Sequence, residues 1–385
     1  MERNRTYKKL GSVCTIERGG SPRPISDYIT DSPDGLNWIK IGDAKEGSKF
    51  ITSTKEKIRP EGLKKTRFVH KGDFILSNSM SFGKPYILGI DGCIHDGWLV
   101  IHDNNNTFDK SYLYYLLGNP NMYKEFQRMA VGGVVNNLNS EMVRNVVVAI
   151  PPLPEQSRIV SELDILQSVV DKQQAQLKEL DILAQAVFYD MFGDPVENEK
   201  GWKTDNLKTV APQKQYNGIV PSTNGKFWLL NLDMVEQQTG SIIEKVLCDQ
   251  NEIGNSTIIF DTTNVLYSKL RPYLNKVVLP DEIGYGTSEL VPLKPNTDVL
   301  DRVFLAYLLR SKSFVNYISV KVAGAKMPRV SMDILRDFLV ILPPISLQQS
   351  FTEKIEAIER HKAAINQSIA ETQKLFDYTM DKYFG

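Results

Sequence analysis

From Ile159 onward apolar residues recur at alternating steps of four and three: Ile159, Leu163, Leu166, Val170, Leu177, Leu180, Ala184, Val187 and Met191, interrupted by Gln173. This heptad stripe predicts a long helix whose apolar seam needs a partner. Pro154 falls in its first turn, where the N–H groups have no intrahelical acceptor to lose. A helix from Glu155 to Gly193 is expected to be roughly 55 to 60 Å long at about 1.5 Å per residue. A second stripe carries Phe351, Ile355, Ile358, Ile365, Ile369, Phe376 and Tyr383, with Lys362, Thr372 and Thr379 as polar steps. Upstream of the first stripe the pattern is shorter. Runs such as Trp38-Ile39-Lys40-Ile41 and Phe74-Ile75-Leu76, broken by Gly, Asn and Pro, predict strands. A helix is expected at about Lys110 to Met129, then an apolar strand from Val146 to Ile150, ended by prolines.

The second stripe is the first one repeated. Ile150-Pro151-Pro152-Leu153 returns as Leu342-Pro343-Pro344-Ile345, an offset of 192 residues. The same offset pairs Asp109 with Asp301, Tyr115 with Tyr307, Arg144 with Arg336 and Phe192 with Phe384. Further upstream the register slips by a residue or two, so that Asp73-Phe74-Ile75-Leu76-Ser77 faces Asn264-Val265-Leu266-Tyr267-Ser268, and Trp38 faces Trp228. A duplicated unit has kept its second part alike while its first part diverged. The chain is therefore expected to be α+β: two tandem α/β domains, each followed by a long helix, with the two helices pairing as an antiparallel coiled coil. The expected divisions are residues 1–153, 154–196, 197–345 and 346–385. Packing of each seam on its own domain is the alternative.

Composition narrows the class. With 42% hydrophobic and 24% charged residues, the chain is folded rather than disordered. No long apolar run is present, and the three cysteines lie far apart, which fits reduced thiols in a cytoplasmic protein. Lys+Arg and Asp+Glu are both 46, so any attraction for nucleic acid must be local. It is local: nine basic residues between Lys45 and Lys71 face three acidic ones, whereas ten acidic residues between Glu155 and Glu199 face three basic ones. A basic module followed by an acidic helix suggests a DNA-facing surface separated from a surface that avoids DNA.

Catalytic constellations are weak. His95-Asp96 and His102-Asp103 lack further ligands at metal-site spacing. Asn119-Pro120-Asn121-Met122 only brushes the tetrapeptide of amino-methyltransferases and reads better as a turn joining helices. Asp34 with Asp43 and Lys45 fits a loose Mg-dependent nuclease pattern that is common by chance. The polar, basic loops after equivalent strands are better candidates, because Ser, Asn, Lys and Arg can address base edges and phosphates. In copy one these are Ser77, Asn78, Ser79 and Lys84, together with Arg18, Lys45, Lys64, Lys65 and Arg67; in copy two they are Ser268, Lys269, Arg271 and Tyr273, together with Lys326 and Arg329. No metal and no cofactor is assigned to this chain.

Gly62-Leu63-Lys64-Lys65-Thr66, Lys71-Gly72-Asp73-Phe74-Ile75-Leu76-Ser77, Phe82-Gly83-Lys84 and the run from Ile150-Pro151-Pro152-Leu153-Pro154-Glu155-Gln156 to Val160 resemble the specificity subunit (HsdS) family of type I restriction-modification systems. Copy two departs from the pattern, with Leu347-Gln348-Gln349 after its prolines and Leu270-Arg271-Pro272 in the glycine-lysine loop. The resemblance implies a non-catalytic, DNA-binding chain with two target-recognition domains, each reading one part of a split target on double-stranded DNA. It further implies docking of two adenine-N6 methyltransferase subunits that use S-adenosylmethionine, and of restriction-translocase subunits that use ATP and Mg. Recognition within a related methylation-based phage-defence system, or an autonomous Mg-dependent nuclease, are the alternatives.

Overall fold

The computed structural model describes residues 6–45, 47–79, 82–130, 137–322 and 327–385. Its helices are α1 (Lys110–Gly118), α2 (Pro120–Ala130), α3 (Ser140–Asn145), α4 (Leu153–Phe192), α5 (Leu207–Val210), α6 (Arg302–Arg310), α7 (Lys312–Lys321), α8 (Met332–Arg336) and α9 (Ile345–Phe384). The chain divides into two compact units: residues 1–172 with 369–385, and residues 173–368. Each long helix thus contributes residues to both units. No helix among the described residues is long and apolar enough to cross a membrane.

In the first unit, Cys14–Arg18, Trp98–Asp103, Phe74–Ser77, Pro85–Leu88 and Phe50–Ile51 lie side by side in one sheet. A second sheet runs in the order Ile29–Thr30, Glu56–Ile58, Leu36–Ile39, Gly92–Ile94 and Arg67–Val69. The strand alternation explains why these runs look continuously apolar. Successive side chains point to opposite faces: Leu99 and Ile101 enter a core shared with α1 to α4, while Trp98 and Val100 enter a smaller one with Ile39 and Ile94. The central strands are covered on both sides. In the second unit Val265 and Tyr267 face the helical core, and Leu266 faces Trp228 and Phe260. The strand expected at Val146 to Ile150 forms over Val147–Ile150 and pairs antiparallel with Thr6–Lys9; its counterpart Leu339–Leu342 pairs with Lys203–Asn206.

The helix expected over Lys110 to Met129 is broken in two at Asn119. Its Oδ1 accepts the N–H groups of Asn121 and Met122, both at 2.9 Å, and so caps α2. Ser311, 192 residues later, caps α7 by accepting from Phe314 N–H at 3.2 Å.

The long helices pair antiparallel. In the first unit Glu162 accepts from Tyr383 Oη at 2.8 Å; in the second, Gln173 donates to Ser368 Oγ at 2.6 Å and Lys362 donates to Asp181 at 2.8 Å. As the α4 position rises, its α9 partner falls. The seam is not equally buried along its length. Ile159 and Leu163 are fully covered within the first core, next to Met380 and Tyr383, and Phe351, Ile355 and Ile358 belong to the core of the second unit. Leu166, Leu177, Leu180, Ile365, Ile369 and Phe376 are half-buried, as expected where two helices cover only each other, and Val170 is buried. Both expected packing modes therefore occur, mutual pairing along the stripe and local packing at its ends. At the end of α4 the heptad positions Val187 and Met191 are half-buried, and Phe188 and Phe192, one residue on, are fully buried instead. Domain packing rather than helix pairing sets the face there: Phe192 lies 4.7 Å from Phe304 and 5.4 Å from Phe351 by ring centroids.

Candidate nucleic-acid interface

In the first unit the strand Phe74–Ser77 ends in a tight loop. Ser77 N–H donates to the Lys84 carbonyl at 3.0 Å, and Ser77 Oγ accepts from Lys84 N–H at 2.9 Å. Gly83, with φ +80°, closes the loop, and a Cβ there would meet the Phe126 ring at 2.9 Å. Asn78 follows. Its N–H donates to Gly97, its carbonyl accepts from Leu138, and its Nδ2 donates to the Asp96 carbonyl at 3.0 Å. Its Oδ1 is buried with no partner among the described residues. Met80 and Ser81 lie outside the described residues.

Asp96 is the centre of this face. Its carbonyl takes Arg18 Nε at 2.8 Å; its carboxylate takes Ser21 Oγ at 2.8 Å and stands 4.0 Å from Arg18 Nη2 and 3.6 Å from Arg23 Nη2. Burial would raise the Asp96 carboxyl, but the Ser21 hydroxyl, the His95 ring and Arg18 outweigh it and hold it below the usual carboxylate range. Arg67 donates to the Arg18 carbonyl at 3.3 Å and pairs with Glu17 at 3.0 Å. Lys65 donates to Tyr28 Oη at 3.0 Å, and its carbonyl lies against the backbone of Gly20. The fold thus gathers Arg18, Lys65, Arg67 and Asn78, with Ser79 beside Gly97, from segments far apart in sequence. Arg23 was missed by pattern reading; Gly19-Gly20-Ser21-Pro22-Arg23-Pro24, a loop-forming run with one cation, is the signal that could have found it.

Other candidates fall elsewhere. Lys64 is exposed on the turn Pro60–Lys65. Lys84 closes the loop through its backbone. Lys45 lies in a turn closed by Ser48 N–H on its carbonyl, leading to Lys49 rather than to Asp96. Lys49 itself, one of the nine basic residues, turns inward: its Nζ pairs with Asp164 at 3.1 Å and lies over the rings of Tyr114 and Tyr115. The basic run is therefore not one surface. Asp43 accepts the N–H groups of Lys40 and Lys55 at 2.8 and 3.1 Å, which makes it a backbone cap. The ring nitrogens of His95 face the N–H groups of Ile41 and Gly97, and burial holds its pKa below the ordinary value.

The second unit repeats the plan with other residues. Ser268 is buried; its N–H donates to Lys276, and its Oγ donates to the Leu270 carbonyl. Lys269 N–H donates to the Glu289 carbonyl at 3.0 Å, and its carbonyl accepts from Val330 at 2.8 Å. Val330 stands 192 residues after Leu138, so Lys269 occupies the place of Asn78. Arg271 N–H donates to Pro328 at 2.8 Å, and Arg329 Nη2 pairs with Glu289 Oε1 at 2.5 Å. Lys269, Arg271 and Arg329 thus gather near Glu289. Tyr273 does not join them: it lines a separate cleft of about 1530 Å³ that also borders Arg310, Tyr307 and Asn275. Lys326 lies outside the described residues.

Ion pairs near the surface contribute only about 0 to 1 kcal/mol each, so these pairs add little to the stability of the fold. The arrangement suits a polyanion better than a reaction.

Residues 3–181 match the sequence model of the type I restriction modification DNA specificity domain. The chain is 23% identical over 314 residues to the type I restriction enzyme EcoDI specificity subunit of Escherichia coli, covering 71% of this chain and 69% of that protein. A chain from a structural study of complex assembly and conformational transition in the type I R-M system shares its fold, with a TM-score of 0.60, 18% identity and coverage of 100% and 98% of the two chains. So does the S subunit of a type I restriction-modification system from M. genitalium, with a TM-score of 0.57, 12% identity and coverage of 100% and 97%.

Proposed function

We propose that this chain, whose residues 3–181 match the type I restriction modification DNA specificity domain, is a specificity subunit that reads a bipartite target on double-stranded DNA and presents that target to partner enzymes. Residues 1–153 and 197–345 are the two readers, and residues 154–196 and 346–385 are the spacer helices. The partners are two adenine-N6 methyltransferase subunits, which supply S-adenosylmethionine chemistry, and restriction-translocase subunits, which use ATP and Mg. This chain contributes no catalytic group. The candidate contacts are Arg18, Lys64, Lys65, Arg67, Asn78 and Ser79 in the first reader and Lys269, Arg271 and Arg329 in the second.

One observation carries the reading. Two domains of the same plan end the same strand in a loop tied to the same later segment, by Asn78 on Leu138 and by Lys269 on Val330, yet they present different side chains there. Shared backbone with divergent side chains is what two readers of two different half-sites require. Helix pairing over the 4,3 stripe suits a spacer, since paired helices hold length better than a loop.

Co-expression with the methyltransferase subunit of its own host, followed by genome-wide mapping of N6-methyladenine, tests this. A two-part motif with a fixed gap that vanishes when this chain is deleted is expected; methylation that persists without the chain would refute the proposal.

A further inference from the structure

A carboxylate on a surface that meets phosphate repels its ligand, so it is retained there only if it does something else. Each reader holds one at its centre. They are not the same residue: Trp98 pairs with Ser77 and Leu290 with Ser268, so in the repeat Glu289 corresponds to Gly97 and Asp96 to Ser288. The arginines they hold differ too, Arg18 and Arg23 in the first unit and Arg329 in the second. Two diverged copies thus reach the same outcome, an arginine held by an acid just before the strands Trp98–Asp103 and Leu290–Leu293, through different positions.

We propose that Asp96 and Glu289 are positioning residues that hold the reading arginines in the geometry they use on DNA. The proposal rests on the DNA-reading function above. An exposed arginine loses much rotamer freedom when it binds, and one already held loses less. The surroundings of Asp96 suit this role. Ser21 Oγ fixes one carboxylate oxygen at 2.8 Å, while the Asp96 carbonyl takes Arg18 Nε and Asn78 Nδ2 at 2.8 and 3.0 Å. The backbone carbonyl thus aligns an arginine and an asparagine, the two side chains suited to bidentate contact with guanine and adenine, and the carboxylate adds a charge 4.0 Å from Arg18 Nη2 and 3.6 Å from Arg23 Nη2, the part that Asp96→Ala removes. Glu289 holds Arg329 with Oε1 at 2.5 Å and keeps Oε2 buried with no partner among the described residues. Its backbone carbonyl fixes Lys269.

The sign of the effect separates positioning from mere charge. Removing a repulsive carboxylate tightens binding to every sequence, whereas removing a positioning one weakens binding to the cognate sequence alone. The test starts with the full chain and a random duplex pool, which yields the preferred sequence; affinities for that duplex and a scrambled one are then measured. Asp96→Ala is expected to weaken cognate binding about tenfold, the loss of one good base contact, with scrambled binding unchanged or tighter. Asp96→Glu is expected to restore part of the loss. In an Arg18→Ala, Arg23→Ala background, Asp96→Ala is expected to add nothing. Glu289→Ala with Arg329→Ala repeats the cycle in the second unit.

Tighter binding to both duplexes overturns the proposal, as does an equal loss with and without the arginines. So does a change of preferred base while the arginines still contribute, because the carboxylate would then be reading a base amino group itself. Should Asp96→Ala fail to fold, Asp96→Asn combined with Arg23→Ala gives the cycle for Arg23 alone, which is largely exposed. If the unaltered chain selects no sequence from the pool, the DNA-reading function fails first, before any variant is made.

Discussion

Gln156 holds Asp109. The side-chain Oε1 of Gln156 accepts from Asp109 N–H at 2.8 Å, and its Nε2 donates to the carbonyls of Thr107 and Pro151 at 2.9 and 2.8 Å. Gln348 repeats this 192 residues later, taking Asp301 N–H at 2.8 Å and donating to Val299 and Pro343 at 3.0 and 2.8 Å. Both glutamines are fully buried. Copy two departs from the family sequence around its prolines, yet the glutamine that ties the long helix to its domain is kept.

Gln156→Leu is close in volume but leaves one N–H and two carbonyls without partners. At about 1 to 3 kcal/mol for each orphaned group, offset by relaxation and water, a loss of roughly 2 to 4 kcal/mol is expected. Urea unfolding measures it. A loss within the scatter of surface substitutions would show that the bonds are replaced without strain.

Neutralising Lys64 and Lys65 together is expected to weaken binding to all DNA sequences and to lower the slope of log K against log salt by about 0.9 for each phosphate that is no longer neutralised. Lys64 has the larger share, because Lys65 is held by Tyr28. Salt titration of both single variants is the measurement. Lys49→Ala, by contrast, is expected to leave the slope unchanged, since Lys49 is paired inside the unit with Asp164.

Lys362 lies in the seam, half-buried, and donates to Asp181 and Glu359 at 2.8 and 3.1 Å. Burial lowers its pKa, but the two carboxylates outweigh that and hold it above the usual lysine value. A folded pKa raised above the unfolded one stabilises the fold fully below the unfolded pKa and loses that contribution as pH rises through the folded one. The seam is therefore expected to be steady through neutral pH and to weaken above about pH 10.5. Comparing urea midpoints of the unaltered chain and Lys362→Met from pH 7 to 11 checks this: the gap between them is expected to close at high pH.

The proposed spacer role predicts a geometric change. Seven residues inserted between Gln173 and Leu177, matched by seven between Ile365 and Ile369, keep the heptad register and add roughly 10 Å. The methylated motif is expected to keep both parts and gain about three base pairs between them. An unchanged gap would end the spacer reading.

Burial pushes the Cys93 thiol up to about 11, and burial with the nearby Asp103 charge pushes Cys14 up to about 12. Thiolate is the reactive form. Neither thiol is expected to react with a thiol reagent at pH 8 in the folded chain, and both are expected to react in denaturant; labelling followed by peptide mass mapping decides it.

Repetition and periodicity are local, and they were legible. The 192-residue offset, the two heptad stripes and the strands with apolar runs follow from the sequence, because a helix or a buried strand imposes its own spacing on the residues that form it. The polar step at Gln173 was also visible, but its bond to Ser368 was not, since α9 supplies the partner. Three things were decided only by the tertiary structure. Lys49 faces inward while Lys64 faces out, although the charge pattern treats them alike. Phe188 and Phe192 replace the heptad residues at the end of α4, because the domain core and not the partner helix meets that face. Arg18, Arg67, Asn78 and Asp96 converge because the strands Cys14–Arg18 and Phe74–Ser77 both pair with Trp98–Asp103. Strand neighbours are chosen by burial across the whole domain, so residues that meet at strand ends leave no spacing in the chain to announce them.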